Sequence, residues 1–99
     1  MDKSTILTKL REHETELKAA GIEHLLLHGS YARGTAVREV SDVDVIAEFS
    51  PERRLTLLDM VAIENRLAEV LGVRVDLSPR KGLKEAVAAK ASREAVLAF

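Results

Sequence analysis

Cysteine is absent from this chain, which excludes disulfides, thiolate metal sites and cysteine nucleophiles, and leaves the redox compartment open. Long apolar runs are missing too. Nothing approaches the roughly 20 residues needed to cross a bilayer, and the start, Met1-Asp2-Lys3-Ser4-Thr5, is polar. The expectation is a soluble, cytoplasmic protein without membrane contact. Neither sign of charge dominates: 15 Lys and Arg face 16 Asp and Glu, for a formal net charge of −1, and no dense basic stripe marks a nucleic-acid footprint. Direct nucleic-acid binding is therefore not expected. The 99 residues, 46% hydrophobic and 31% charged, fit one domain spanning 1–99 with a single core. A domain this small buries only about two-thirds of the surface its unfolded chain exposes, so a homo-oligomer or a complex with a partner would add to its stability.

No internal repeat, low-complexity tract or linker interrupts the sequence. From about Ser4 to Ala20, Ile6, Leu7, Leu10, Glu14 and Leu17 give an interrupted helical spacing that ends at Gly21. Ile22 to His28 carries the apolar cluster Leu25-Leu26-Leu27 into Gly29-Ser30, a buried strand running into a tight loop. Val40 to Phe49 alternates, with Asp42, Asp44 and Ile46 on one face and Val43, Val45 and Ala47 on the other. Ser50-Pro51-Glu52 then reads as a capped helix start, with Leu55, Leu58, Ala62, Ile63, Leu67, Val70 and Leu71 on the buried stripe and a stop at Gly72. Val73, Val75 and Leu77 alternate with Arg74, Asp76 and Ser78 up to Pro79, a third strand. Lys81 onward reads as helix through Leu83, Ala86, Val87 and Lys90, and Glu94 to Phe99 as helix or a short last strand. The order predicts a mixed α/β layer architecture.

Chemistry concentrates in the aspartates. Asp42 and Asp44, at i and i+2 on a strand, point to the same side about 6.5 to 7 Å apart and can clamp a cation between them. Their neighbours Val43 and Val45 place them at the edge of a core, where an unpaired charge is costly and a hard cation relieves the cost. Mg²⁺ prefers one or two carboxylates plus substrate phosphates, and a two-metal site needs a further carboxylate. Asp76, flanked by Val75 and Leu77 on another strand, is placed to supply it. Upstream, Gly29-Ser30 precedes Tyr31-Ala32-Arg33-Gly34, a segment able to begin a short helix whose free backbone N–H groups would face an anion.

Taken together, Gly29-Ser30-Tyr31-Ala32-Arg33-Gly34, Ser41-Asp42-Val43-Asp44 and Val75-Asp76-Leu77 resemble the minimal nucleotidyltransferases of the DNA polymerase β superfamily, over nearly the whole chain. The resemblance implies the nucleotidyltransferase fold, a mixed sheet packed against helices. It also implies ATP as substrate and Mg²⁺ as cofactor, with Gly29 and Ser30 on the triphosphate and Asp42, Asp44 and Asp76 holding metal, Asp76 also activating the attacking hydroxyl. One departure is visible: eleven residues, Tyr31 to Ser41, separate Ser30 from Asp42, one more than is usual in the family. The extra residue falls in the Val37 to Val40 connection. Arg33 is a candidate cation for phosphate, with a solvated loop arginine as the alternative.

Short members of this family resemble antitoxins that work with a HEPN-domain ribonuclease toxin, some by transferring AMP to a toxin tyrosine. The expectation is thus a Mg²⁺-dependent adenylyltransferase with a HEPN-domain partner. The alternatives are an idle domain that neutralises such a partner by contact, and a transferase acting on a small-molecule hydroxyl. Other patterns yield less. His13-Glu14 begins like a zinc-protease helix, but the required second histidine is Leu17. His24 and His28 lack a second ligand nearby and read as structural, with His28 next to the nucleotide loop. Tyr31 either stacks on a base or packs against the sheet. The basic set Arg80, Lys81, Lys84, Lys90 and Arg93 reads as a solvated helix face.

Overall fold

A computed structural model describes residues 2–35, 42–81, 89 and 93–99. It opens with two short helices, α1 (Lys3–Glu12) and α2 (Glu14–Ala19), where the spacing suggests one. The break is at His13: its Nδ1 donates to the Lys9 carbonyl at 2.9 Å, and its backbone turns to φ −104°, ψ 14°. A side chain that bonds the carbonyl four residues back competes with the helical ladder. Asp2 caps α1 by accepting from the Thr5 amide at 2.8 Å, and Ile6, Leu7, Leu10 and Leu17 line the buried side.

Strand β1 (Ile22–His28) runs directly into a five-residue helix α3 (Gly29–Arg33), and β2 (Val43–Phe49) follows. The expected Val40 start of β2 lies outside the described residues, and Asp42 sits just ahead of the strand. Alternation holds within β2: Val43, Val45 and Ala47 belong to the core cluster, while Asp44 and Ile46 lie on the other face.

Helix α4 (Leu57–Leu71) starts later than Ser50-Pro51-Glu52 predicts. Ser50 is used in a turn instead, its amide donating to the Gly21 carbonyl at 2.9 Å and its carbonyl accepting from the Arg53 amide at 3.1 Å. The working cap is Thr56: its hydroxyl accepts from the Asp59 amide at 3.2 Å, while the Asp59 carboxylate accepts from the Thr56 amide at 2.8 Å. Such a reciprocal pair satisfies two otherwise unbonded groups, which a lone serine cannot match. The late start also corrects the face assignment, since Leu58 is 82% exposed while Ile63, Leu67 and Leu71 are buried. At the other end Gly72 takes φ 72°, the left-handed stop the sequence predicts.

β3 (Val75–Pro79) pairs parallel to β2, so α4 is the crossover between them. The tail divides: Arg93 and Glu94 are helical, and a final two-residue strand, β4 (Val96–Leu97), follows. The sheet order is β3-β2-β1-β4, with β1 antiparallel to both β2 and β4. On the β3 edge the Leu77 amide donates to Glu64 of α4 at 2.9 Å, which occupies an edge donor that would otherwise face a strand-pairing hazard. The core lies between the sheet and α1, α2 and α4, built on Ile6, Leu10, Leu17, Leu25, Leu27, Val43, Val45, Leu67 and Leu71. The predicted helix through Leu83, Ala86, Val87 and Lys90, and Lys84 of the basic set, lie outside the described residues.

Candidate active site

The sheet brings the acidic residues to one place because of its register. Asp44 is paired with His28 across the antiparallel β1–β2 ladder and with Asp76 across the parallel β2–β3 ladder. Paired residues project to the same face, so the face opposite the core carries His28, Asp44 and Asp76 in a row. Asp42, two residues ahead of Asp44, adds a further carboxylate there.

Electrostatics record the crowding. Burial pushes the Asp44 carboxyl above its ordinary pKa, His28 pulls it back, Asp76 and Asp42 push it up further, and Arg33 pulls it back. A half-buried carboxylate with two like charges near it is costly to ionise in the absence of a cation.

Gly29 completes the contact between loop and carboxylates. Its φ is 75°, and a Cβ placed on it would overlap the Asp44 Oδ2 and stand 3.1 Å from its Cγ. Only glycine lets the chain turn here and lie against the Asp44 side chain. α3 follows at once, anchored by Tyr31, 6% exposed, and Ala32 in the core. Tyr31 is thereby a packing residue and not a platform for a base. Ser30 is half-buried, and its carbonyl accepts from the Thr35 amide at 2.9 Å. Arg33, on the exposed side of α3, is ion-paired through Nη1 to Glu94 Oε2 at 3.1 Å.

Two neighbours of these residues were not singled out by sequence reasoning. Arg74 Nε lies 3.1 Å from Asp42 Oδ1. Its signal is readable in retrospect: Arg74 precedes Asp76 by the two residues that separate Asp42 from Asp44, and parallel strands in register turn equal spacing into adjacency. Glu94, 61 residues from Arg33, offers no such signal. Among the described residues no three His, Cys, Asp or Glu side chains converge on a common point suited to a metal ion as they are arranged; Asp42 is engaged with Arg74 instead. The donor set itself, three hard carboxylates of which the central one is raised first by burial and then by the other two, is the kind a hard divalent cation satisfies. His24, exposed, has its Nδ1 3.4 Å from the Phe99 carbonyl, in keeping with a structural role.

A cleft of about 940 Å³ lies at the carboxyl ends of β2 and β3 beside the start of α4, lined by Phe49, Pro51, Leu55, Leu57, Met60 and Leu77 among others, and contains none of the three aspartates. The aspartates lie apart from this largely apolar hollow, on the face where carboxylate charge and the backbone fit of Gly29 converge. Among the described residues no helix is long and apolar enough to cross a membrane.

Comparison with known proteins agrees with this placement of the elements. The chain is 39% identical over 88 residues to protein adenylyltransferase MntA of Thermococcus cleftensis, covering 88% of this chain and 86% of that one. A solved structure of a provisionally assigned minimal nucleotidyltransferase superposes with a TM-score of 0.77 at 38% identity, covering 97% of this chain and 95% of that one. The fold also matches one chain in a solved structure of tri-AMPylated Shewanella oneidensis HEPN toxin in complex with MNT antitoxin, with a TM-score of 0.69 at 15% identity, covering 98% of this chain and 71% of that one. Residues 9–98, from within α1 to just past the final strand, match the model of the nucleotidyltransferase domain, and the chain belongs to that family.

Proposed function

We propose that this chain is a Mg²⁺-dependent protein adenylyltransferase, which moves AMP from ATP onto a tyrosine hydroxyl of a HEPN-domain toxin in the cytoplasm and so acts as its antitoxin. The observation that carries the reading is the fit of Gly29 against Asp44 beside Asp76, which joins a phosphate-type loop to paired carboxylates in one site. The similarity to a protein adenylyltransferase supports the choice of reaction, and the fold shared with an antitoxin bound to an AMPylated HEPN toxin supports the choice of partner.

In this reading Gly29 and Ser30 hold the triphosphate through backbone amides and the serine hydroxyl, and Arg33 adds a cation for phosphate. Asp42, Asp44 and Asp76 would hold Mg²⁺, which would supply charge neutralisation on the phosphates and on the departing pyrophosphate. The pair with Arg74 engages Asp42 through Oδ1, which leaves Oδ2 for the metal. Asp76 accepts the proton of the acceptor hydroxyl as its oxygen bonds to the α-phosphorus; the bond from that phosphorus to pyrophosphate breaks, and AMP is left on the acceptor.

Calorimetric titration of ATP with Mg²⁺ into the protein, in parallel with the double variant Asp42→Asn/Asp44→Asn, tests the site. Metal-dependent binding that the variant loses is the expected result. Equal binding by the variant would overturn the assignment of these carboxylates. A second reading, neutralisation of the partner by contact alone, draws on the Asp42–Arg74 pair, which already compensates one of the carboxylates. It predicts antitoxin activity that survives the same two substitutions.

A further inference from the structure

Arg33 stands on the short helix that follows the Gly29-Ser30 loop, and its charge reaches Asp44. A lone arginine on such a helix has several rotatable bonds, and immobilising it for a ligand costs side-chain entropy. Here it is not alone, because Glu94 Oε2 accepts from its Nη1 at 3.1 Å, and both side chains are partly withdrawn from solvent, at 42% and 31% exposure.

Glu94 in turn is held by the far end of the chain. It lies two residues before β4, whose Val96 and Leu97 pair with Leu27 and Leu26 of β1. Arg11 of α1 fastens the same segment, its Nε donating to the Ala98 carbonyl at 2.7 Å and its Nη2 to the Leu97 carbonyl at 3.1 Å. The Leu25 amide donates to the Phe99 carbonyl at 3.2 Å, and the Ala98 amide returns a bond to the Leu25 carbonyl at 2.8 Å. Both partners therefore grow from β1: Arg33 through the helix that continues it, and Glu94 through the edge strand that pairs with it. Their spacing is fixed by the sheet.

We propose that Glu94 is a positioning residue, which holds the Arg33 guanidinium in place so that its remaining N–H donors face the triphosphate of ATP. A guanidinium has five N–H donors, so one bond to Glu94 leaves the others for phosphate oxygens. Glu94 touches no substrate in this scheme; it acts through Arg33, and the proposal rests on the reading of Arg33 as a phosphate contact. The segment leading into β4 thereby contributes to nucleotide binding without belonging to the loop or to the aspartate set.

A double-mutant cycle tests this, with ATP·Mg²⁺ affinity measured by calorimetry for wild type, Arg33→Ala, Glu94→Ala and the double variant, AMP affinity measured in the same proteins, and thermal denaturation of each as a control for folding. Glu94→Ala is expected to weaken ATP binding about two- to fivefold, the range of a partly exposed ion pair, and to leave the double variant no weaker than Arg33→Ala. AMP, which lacks the β- and γ-phosphates, should bind all four proteins alike, and Glu94→Gln, which keeps the acceptor oxygen, should restore part of the loss. Weakening by Arg33→Ala with no effect, or a tightening, from Glu94→Ala would overturn the proposal and leave Arg33 as a contact. No effect from Arg33→Ala would remove the underlying reading as well. Losses by Glu94→Ala that are equal for ATP and AMP would assign Glu94 a merely structural role and overturn the proposal too.

Discussion

At the scale of single residues, Gly29 is where backbone and carboxylate fit most closely. Any side chain there must both adopt φ near 75° and displace the Asp44 carboxylate, so Gly29→Ala is expected to abolish metal-dependent ATP binding while Gly72→Ala, where nothing crowds a Cβ, costs stability alone. Calorimetry and thermal melts on the two variants separate the effects. Asp44 allows a prediction with a definite sign. Its folded-state pKa is raised, so the folded protein holds the proton more tightly than the unfolded chain, and ionisation of Asp44 subtracts stability as pH rises past the ordinary carboxylate range. Asp44→Asn should therefore melt at a higher temperature than wild type at neutral pH without metal, with the gain vanishing in acid. Melting at equal or lower temperature at neutral pH would contradict the crowding of charge inferred for this site. The three aspartates and the glycine were legible as residues, because each carries its reason in its immediate neighbours: alternating valines around Asp42 and Asp44, an apolar strand ahead of Gly29. Arg74 and Glu94 were not, since what makes them matter is a neighbour brought near by folding.

At the scale of elements, the helix that begins at Leu57 shows where local signals compete. Ser50-Pro51-Glu52 and Thr56-Leu57-Leu58-Asp59 both resemble helix starts, and the reciprocal bonding of the second prevails. Thr56→Ala is expected to cost about 1 kcal/mol, lowering Tm by roughly 4–8 °C in a domain this small, whereas Ser50→Ala, whose turn is made with backbone groups, should change Tm little. A thermal melt of each variant decides between the two starts. The split between α1 and α2 was hidden for a related reason: Ile6, Leu10 and Leu17 keep their burial on both sides of the break, so the periodicity survives while the backbone at His13 does not. Strand β4, with only two residues, is too short for alternation to distinguish it from helix, and its pairing with β1 is what settles it.

At the scale of the whole molecule, the class of fold was readable from the order of elements, but the sheet order β3-β2-β1-β4 was not, because nothing local says that the last strand returns to the outer side of β1. Long-range ties reinforce that arrangement. Arg66 of α4 binds Glu16 of α2 through two bonds, one of them 2.9 Å, and holds the Glu16 carboxyl below its ordinary pKa. A depressed folded-state value adds stability above the unfolded value that is lost as pH falls through the folded one. Glu16→Gln should flatten the acid limb of a urea-midpoint profile while changing the neutral plateau only slightly, as expected of an exposed pair. An acid limb as steep as wild type's would contradict the tie. The proposed function requires loop, aspartates and partner together, so its most direct test is mass spectrometry of a HEPN-domain partner incubated with this protein, ATP and Mg²⁺, against the same reaction with Asp42→Asn/Asp44→Asn. Addition of AMP to a partner tyrosine by wild type and not by the variant is the predicted result; an unmodified partner that is nonetheless neutralised equally by both proteins would contradict the account.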